Sequence, residues 1–255
     1  MPHIRSDDVV ASALRDSSEG MKDAENAAKH GVAVKTIRRW RRLYVRRGVT
    51  RGQEHVGAPC PRCDGAVLDT GAYAELFGWY LGDGHLARAR RGVYTLSIVN
   101  DERYALLNVR IAQLMKLVKP ASRPHTRQVP GAVVTTVGWK HWPCLLPQHG
   151  PGRKDQRVLS LEEWQEVIVG THPADFLRGL FHSDGSRFTN WARRGERRHE
   201  YGRWMFTNNS SDIMTWCQEA LDLIGVHWTM PRWNCLSVAR RADVALLDEI
   251  IGPKR

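Results

Sequence analysis

The 255-residue chain has no run of about 18 consecutive apolar residues, the length a helix needs to cross a bilayer, so no membrane span is expected. Its start, MPHIRSDD, lacks the apolar core of a secretory signal, and the expectation is a cytoplasmic, intracellular protein. Cysteines are few. Cys60, Cys63, Cys144, Cys217 and Cys235 are odd in number and have no framework spacing, which argues against a disulfide scaffold and suits a reducing compartment. Acids are scarce relative to bases. Against 38 Lys and Arg stand 27 Asp and Glu, leaving a formal charge of +11. Such an excess usually serves a polyanionic partner, and nucleic acid is the commonest one; a solvated basic surface is the alternative.

The shortage of acids is sharpest between Asn26 and Gln53, where there are none. There Lys35, Arg38, Arg39, Arg41, Arg42, Arg46, Arg47 and Arg51 put eight cations into 17 positions. Residues before Ala24 are mixed and polar, suited to a short helix or a loose arm. The stretch Glu25–Trp40 resembles a helix-turn-helix: Ala28 and Gly31 allow a tight turn, while Val34, Ile37 and Trp40 pack the second helix inward. Lys35, Thr36, Arg38, Arg39 and Arg42 are then the candidate DNA contacts, facing a groove or its phosphates. A plain basic helix that binds phosphate without reading bases is the alternative. A Gly- and Pro-containing linker, RGQEHVGAPCPRCDG, follows.

What the rest of the chain does have is a repeat. An apolar helix from Tyr73 to Asp83 leads to two strands near residues 85–90 and 93–99, split by the turn Ala89-Arg90-Arg91-Gly92. A helix from Asp101 to about Leu117 follows, with Tyr104, Leu107, Ile111, Leu114 and Val118 on one face. Two more strands flank Pro130-Gly131, and a short helix closes near residues 141–148. The same order returns: a helix from Ala174 to Asp184, strands near 186–192 and 202–208, a helix from Ser211 to Ile224 capped by Ser210 or Ser211, strands near 226–230 and 233–239, and a helix from Arg241 to Ile251. Between the copies, Ser160–Gly170 reads as a connecting helix. The expected fold class is α+β: two pseudo-symmetric α-β-β-α-β-β-α half-domains that share a core, plus a small all-α N-terminal unit. The expected boundaries are 1–52, a linker at 53–72, a first half at 73–159, a connection at 160–172 and a second half at 173–255.

The two opening helices end in one frame. The first reads Leu76-Phe77-Gly78-Trp79-Tyr80-Leu81-Gly82-Asp83-Gly84 and the second Leu177-Arg178-Gly179-Leu180-Phe181-His182-Ser183-Asp184-Gly185. Gly78 and Gly179 would let two helices approach closely, and Gly84 and Gly185 suit left-handed helix caps. Asp83 and Asp184 would come side by side. Two carboxylates at helix C-termini repel each other and oppose the helix dipole, a cost that a bound cation offsets. Oxygen ligands suit Mg²⁺, and divalent ions between carboxylates can activate water for phosphodiester hydrolysis.

These paired segments resemble the signature of LAGLIDADG homing endonucleases, and the repeated plan resembles their half-domain, over residues 73–255. The resemblance implies a single-chain, metal-dependent endonuclease acting on double-stranded DNA, a monomer with internal pseudo-two-fold symmetry. It implies strand sets lying in the major groove and two or three Mg²⁺ ions held by Asp83 and Asp184 with the backbone carbonyls of Gly82 and Ser183. Leu81 and His182 depart from the family frame, which has an acid at that position, although not the metal ligand. The family also carries a basic residue after the closing helix. Lys154 lies 71 positions after Asp83 and Lys254 lies 70 after Asp184, each behind an L-L run and a Gly-Pro. Both are candidates to polarise water or steady phosphate charge, with Arg153 and Arg255 as substitutes.

Alternation on the strands places Thr95, Ser97, Arg187, Thr189, Arg203, Thr207 and Ser237 on a polar, DNA-facing side, and Val93, Phe188, Trp204, Phe206, Leu236 and Val238 toward the core. Trp40, Trp79, Trp164, Trp216 and Trp228 fit core positions, while Trp191 and Trp233 have no evident face. Cys60-Pro-Arg-Cys63 is half of a zinc site; His55 is a conceivable third ligand, nothing nearby in the chain completes it, and two free thiols are the alternative reading. The expected function is site-specific double-strand DNA cleavage. Its rivals are a non-cleaving transcriptional regulator on the same scaffold and an intron splicing helper.

Overall fold

The computed structural model describes residues 5–47, 59–120, 122–195 and 197–254, with the side chains of 43–47, 194 and 197 outside that description. Arg51, His55 and Arg255, and the side chains of Arg46 and Arg47, therefore lie outside the described residues. The chain divides into two units, Met1–Gly57 and Ala58–Arg255.

In the first unit the polar start folds as α1 (Asp7–Ser18), an ordered helix rather than a loose arm, with Asp7 and Asp8 in its first turn, where they favour the helix dipole. It is followed by α2 (Asp23–Lys29) and α3 (Val34–Arg47). Gly31 takes φ 58° in the turn between α2 and α3, a conformation that glycine adopts without strain. Val10, Ala13, Ala27, Ile37 and Trp40 form the core of this unit. Polar bonds fasten it further. Asn26 is fully buried and donates to the Ala13 carbonyl at 2.8 Å and to Ser17 Oγ at 2.9 Å. Asp16 holds Lys29 Nζ at 2.8 Å and His30 Nε2 at 2.6 Å.

In the second unit every element of the repeat forms. After a short turn of helix α4 (Pro61–Asp64), the first half runs α5 (Thr70–Asp83), β1 (Gly84–Arg88), β2 (Tyr94–Asp101), α6 (Ala105–Val118), β3 (His125–Val129), β4 (Ala132–Trp139) and α7 (Trp142–Leu145). The connecting helix is α8 (Glu163–Thr171), opened by a capping box of Glu162 and Gln165. The second half runs α9 (Pro173–Asp184), β5 (Gly185–Arg194), β6 (Arg197–Thr207), α10 (Ser211–Leu223), β7 (Thr229–Arg232), β8 (Cys235–Val238) and α11 (Arg241–Ile251). Ser210 caps α10 by accepting from the Ile213 N–H. Each half holds one antiparallel sheet, ordered β1-β2-β4-β3 and β5-β6-β8-β7.

One hydrophobic core serves both halves, running from Tyr73, Phe77 and Trp79 of α5 through Phe176, Leu180 and Phe181 of α9 to Trp204 and Phe206 of β6. Glu75, fully buried on α5, receives a two-pronged pair from Arg110 at 3.0 and 2.6 Å and a longer contact from Arg178 at 3.4 Å. One carboxylate thus ties α5 to α6 and α9, and leaving it unpaired would be costly. A second polar network links Tyr73, Gln148 and the buried Gln165, joining the first half to α8.

The strand faces depart from the expected alternation in the second half. Residues paired across an antiparallel ladder share a face. Gly185 pairs with Phe206 and Arg187 with Trp204, so Arg187 and Thr189 lie on the helix-covered side, while Phe188 pairs with Arg203 on the open side. The cause is the helix end: a Cβ at Gly185 would lie 2.5 Å from the Phe181 carbonyl oxygen, so glycine fixes the pleat there whatever the residues beyond it prefer. Arg187 uses its position to pair with Asp248 of α11 at 2.8 and 2.9 Å. Ser237 shares the face of Met205 but is only 2 % exposed, so it is removed as a DNA contact. Val93 precedes β2 in the parity of Thr95 and Ser97 and is half-buried rather than core. Trp191 and Trp233 are exposed.

Candidate active site

The site is built by the contact of α5 with α9. The two helices run in the same direction, and the glycines decide how near they come. A Cβ at Gly78 would sit 2.5 Å from the Phe176 carbonyl oxygen, and one at Gly179 would sit 2.1 Å from that of Glu75. Neither position admits a side chain without forcing backbone apart. One turn further on, a Cβ at Gly82 would meet Ser183 Oγ at 2.1 Å and Asp184 Oδ2 at 2.9 Å. The last turns of both helices, each ending in its aspartate, are therefore side by side.

Gly84 and Gly185 are not left-handed caps. Their φ values are −87° and −89°, extended backbone that leads directly into β1 and β5. Glycine is required there because a Cβ would approach Tyr80 Cα to 2.4 Å at Gly84 and the Phe181 carbonyl oxygen to 2.5 Å at Gly185. The sharp exit from helix to strand needs the missing side chain for space, not for handedness.

The two lysines occupy equivalent places. Lys154 Nζ donates to the Gly84 carbonyl at 2.6 Å, and Lys254 Nζ donates to the Gly185 carbonyl at 2.5 Å. Each ammonium thus rests on the residue that follows an aspartate, without bonding the carboxylate. Lys154 also sits 4.8 Å from the centre of the Tyr80 ring. Burial lowers both lysines from their ordinary range, Lys154 to about 8.

The carboxylates are pushed the other way. Burial, and then the charge of Asp184, raise Asp83 to about 6. Asp184 is raised by burial, against a hydrogen bond from Asn208 that favours its charged form. Asn208 Nδ2 donates to Asp184 Oδ2 at 2.8 Å, whereas Asp83 has no hydrogen-bond partner among the described residues. The sheet registers make Asn100 the counterpart of Asn208, since Ile98 pairs with Gly84 as Phe206 pairs with Gly185. Asn100 instead donates to Asn108 Oδ1 at 3.0 Å. The two halves therefore hold their acids unequally, and Asn208 lies at the site although it stands outside the motif. Its signal was there, as an asparagine two residues beyond the pairing partner of each motif's last glycine.

His182, at the sixth position of the second motif, is buried against Trp79 with ring centroids 5.8 Å apart and near-parallel planes. Burial, then the charge of Lys254, lowers it to about 4, so it is neutral at physiological pH. Beside the helix ends opens a cleft of ≈ 450 Å³, whose lining includes Gly82, Gly84, His85, Lys154, Asp184 and Asn208.

Thr95 and Ser97 lie on the open face of the first sheet, with His85, Thr136 and His125 in register beside Ser97. Arg203 and Thr207 lie on the open face of the second, where β5 and β6 pair over ten positions while β8 pairs only with Trp204–Thr207. The outer part of that hairpin is thus a two-stranded ribbon. On α3, Lys35, Arg38, Arg39 and Arg42 are exposed and Thr36 is half-buried, with Ile37 and Trp40 turned inward. Arg38 bonds Asp23 at 3.0 Å, whereas Lys35, Arg39 and Arg42 have no acidic partner among the described residues.

The chain resembles LAGLIDADG homing endonucleases. No family model and no curated protein matches it. Among solved structures it is similar to the I-DmoI homing endonuclease in complex with DNA and Mn, at 15% identity over 72% of this chain and 98% of that one, with a TM-score of 0.47. It is similar as well to the LAGLIDADG meganuclease I-AabMI bound to uncleaved DNA, at 14% identity over 70% and 82% of the chains, with a TM-score of 0.45. A third likeness is to the N-terminal LAGLIDADG domain of DUF199/WhiA, at 18% identity over 73% and 84%, with a TM-score of 0.44.

Proposed function

We propose that this chain is a site-specific endonuclease that cuts both strands of duplex DNA with divalent metal held between Asp83 and Asp184. The observation that carries the reading is the twofold construction of the site: two parallel helices, brought together by glycines that admit no substitute, each end in a half-buried aspartate, and a lysine from a later segment of the same half rests on the carbonyl of the glycine that follows it.

The donor set fits Mg²⁺. The ligands are oxygens only, the ammonium groups bond glycine carbonyls rather than the acids, and most carboxylate lone pairs stay free for a cation. Asp83 and Asp184, with the backbone carbonyls of Gly82 and Ser183, would hold it. When bound, a divalent ion there lowers the pKa of a water and neutralises charge on phosphate oxygens. The chain's own residues orient and steady. Asn208 fixes the rotamer of Asp184, and Lys154, largely protonated at neutral pH, puts a positive charge at the cleft beside Gly84. Lys254 holds the equivalent place on the Gly185 carbonyl.

The open sheet faces, through Thr95, Ser97, Arg203 and Thr207, are the surfaces for the duplex, and Lys35, Thr36, Arg39 and Arg42 of the N-terminal unit add contacts that are chiefly to phosphates and weaken with salt. Because both halves belong to one chain, a monomer suffices, and because they differ in sequence the target need not be a palindrome.

The test is selection from a randomised duplex library with Mg²⁺, beside the doubly substituted Asp83→Asn/Asp184→Asn protein. Defined double-strand breaks with the unsubstituted protein alone are the expected result. Specific retention of duplexes with no cut in either sample would make the chain a non-cleaving DNA-binding regulator instead.

A further inference from the structure

The two halves keep one element order but differ sharply in their closing helices. In the second half α11 spans 11 residues and sends Val244, Leu247 and Ile251 into the core. In the first half α7 spans four residues, WPCL, with proline inside its first turn. A helix of one turn is not stable by propensity, although α7 buries Trp142 and Leu145 in the core. Packed against it is α4, also a single turn, which precedes α5.

Between these two short elements four soft ligands converge. Cys60, Cys63, His141 and Cys144 each turn one ligand atom into a cluster whose atoms all lie within 4.8 Å of one another. Cys63 Sγ is 3.5 Å from Cys144 Sγ, and Cys144 Sγ is 3.9 Å from His141 Nδ1. A tetrahedral zinc with Zn–S bonds of about 2.3 Å and a Zn–N bond of about 2.0 Å has ligand–ligand edges of about 3.5 to 3.8 Å, whereas a disulfide needs about 2.05 Å. The separations are therefore on the scale of a metal's coordination edges and well beyond a sulfur–sulfur bond.

The local backbone is shaped for a metal as well. Cys60 is fully buried at the N-cap of α4. Gly65 closes the turn in the left-handed conformation at φ 65°. The Cys60 N–H is itself taken up by Asp64 Oδ2 at 2.7 Å, and Arg62 lies over the Trp164 ring at 4.8 Å. Three sulfurs and one imidazole are the ligands of a closed structural zinc site, with no position left for substrate.

We propose that Cys60, Cys63, His141 and Cys144 bind one structural Zn²⁺ that staples the entrance of α5 to the end of the first sheet, supplying the anchorage that α11 gives the second half. The site is independent of the paired aspartates, and its test does not depend on whether the chain cleaves DNA.

The full chain, purified after growth with zinc and dialysed without chelator, is expected to retain one zinc per molecule by elemental analysis. Replacing zinc with Co²⁺ is expected to give sulfur-to-cobalt charge-transfer bands and the intense visible absorption of a tetrahedral ion. Cys63→Ser and Cys144→Ser should each lose most of the bound metal, while Cys235→Ser retains it. Absence of both metal and cobalt signature from the unsubstituted protein, with the thiols of Cys63 and Cys144 free or joined to each other by mass spectrometry, would overturn the proposal. The cobalt spectrum is read on the unsubstituted chain, so the result stands even where a cysteine variant fails to fold.

Discussion

At Gly179 the nearest atom to an added methyl group is the Glu75 carbonyl oxygen, at 2.1 Å, and that oxygen belongs to helical backbone that cannot swing aside. Gly179→Ala must therefore part α5 from α9. The expected cost is about 3 kcal/mol or more, at or above the upper end for overpacked cores, read as a fall in thermal midpoint. An unchanged midpoint would mean that the helices are not held by this contact. Residue by residue, the motif was legible because its chemistry is local: a small residue where helices touch, an acid at the helix end, a glycine at the exit. What misled was the reason for the last glycine. A helix end followed by glycine suggests a left-handed cap, and only the geometry shows a Cβ striking the preceding turn instead. The companion ligands of Cys60 and Cys63 were missed for a different reason. His141 and Cys144 form an H-x-x-C pair, but it lies some 80 positions away, and nothing in one sequence says that α4 and α7 will meet.

Among the elements, the helices were the more readable because their apolar positions recur on one face and are all buried together; Leu107, Ile111, Leu114 and Val118 of α6 are the clearest case. The strands of the second half were less so. Reading Arg-Phe-Thr-Asn-Trp from residue 187 by hydrophobicity turns Phe188 inward, yet the pleat is inherited from Gly185 and turns it outward. Here one steric constraint at the start of a strand outweighs the preference of the residues along it. In the N-terminal unit α1 is tied to the end of α2 by charge. Asp16 lies below the ordinary carboxylate range because it bonds Lys29 first and His30 second. A carboxylate whose pKa is lowered by folding stabilises the fold above its unfolded pKa, and that contribution is lost as pH falls through the folded value. Amide protection in α1 and α2 of the full chain, after correction for the intrinsic pH dependence of exchange, is therefore expected to fall below about pH 4, and Asp16→Asn should flatten this dependence. Exchange that responds to acid equally in both proteins would assign the effect to other groups.

Across the whole molecule, the repeat is what made the α+β architecture readable before any coordinate, since two copies of one element order, sharing a core, leave few alternatives. The copies are not equal, however. Asn208 bonds Asp184 while Asn100 turns away from Asp83, α11 is long while α7 is short, and the β5–β6 ribbon has no counterpart of that length in the first half. An enzyme built this way would cut two strands with two unlike half-sites. The measurement closest to the central claim is strand-resolved cleavage of a duplex recovered from the library, with Mg²⁺, by the unsubstituted protein and by Asp83→Asn and Asp184→Asn. The unsubstituted protein is expected to cut both strands, and each variant to retain the duplex but lose double-strand cleavage. Full cleavage of both strands by either variant would contradict that claim.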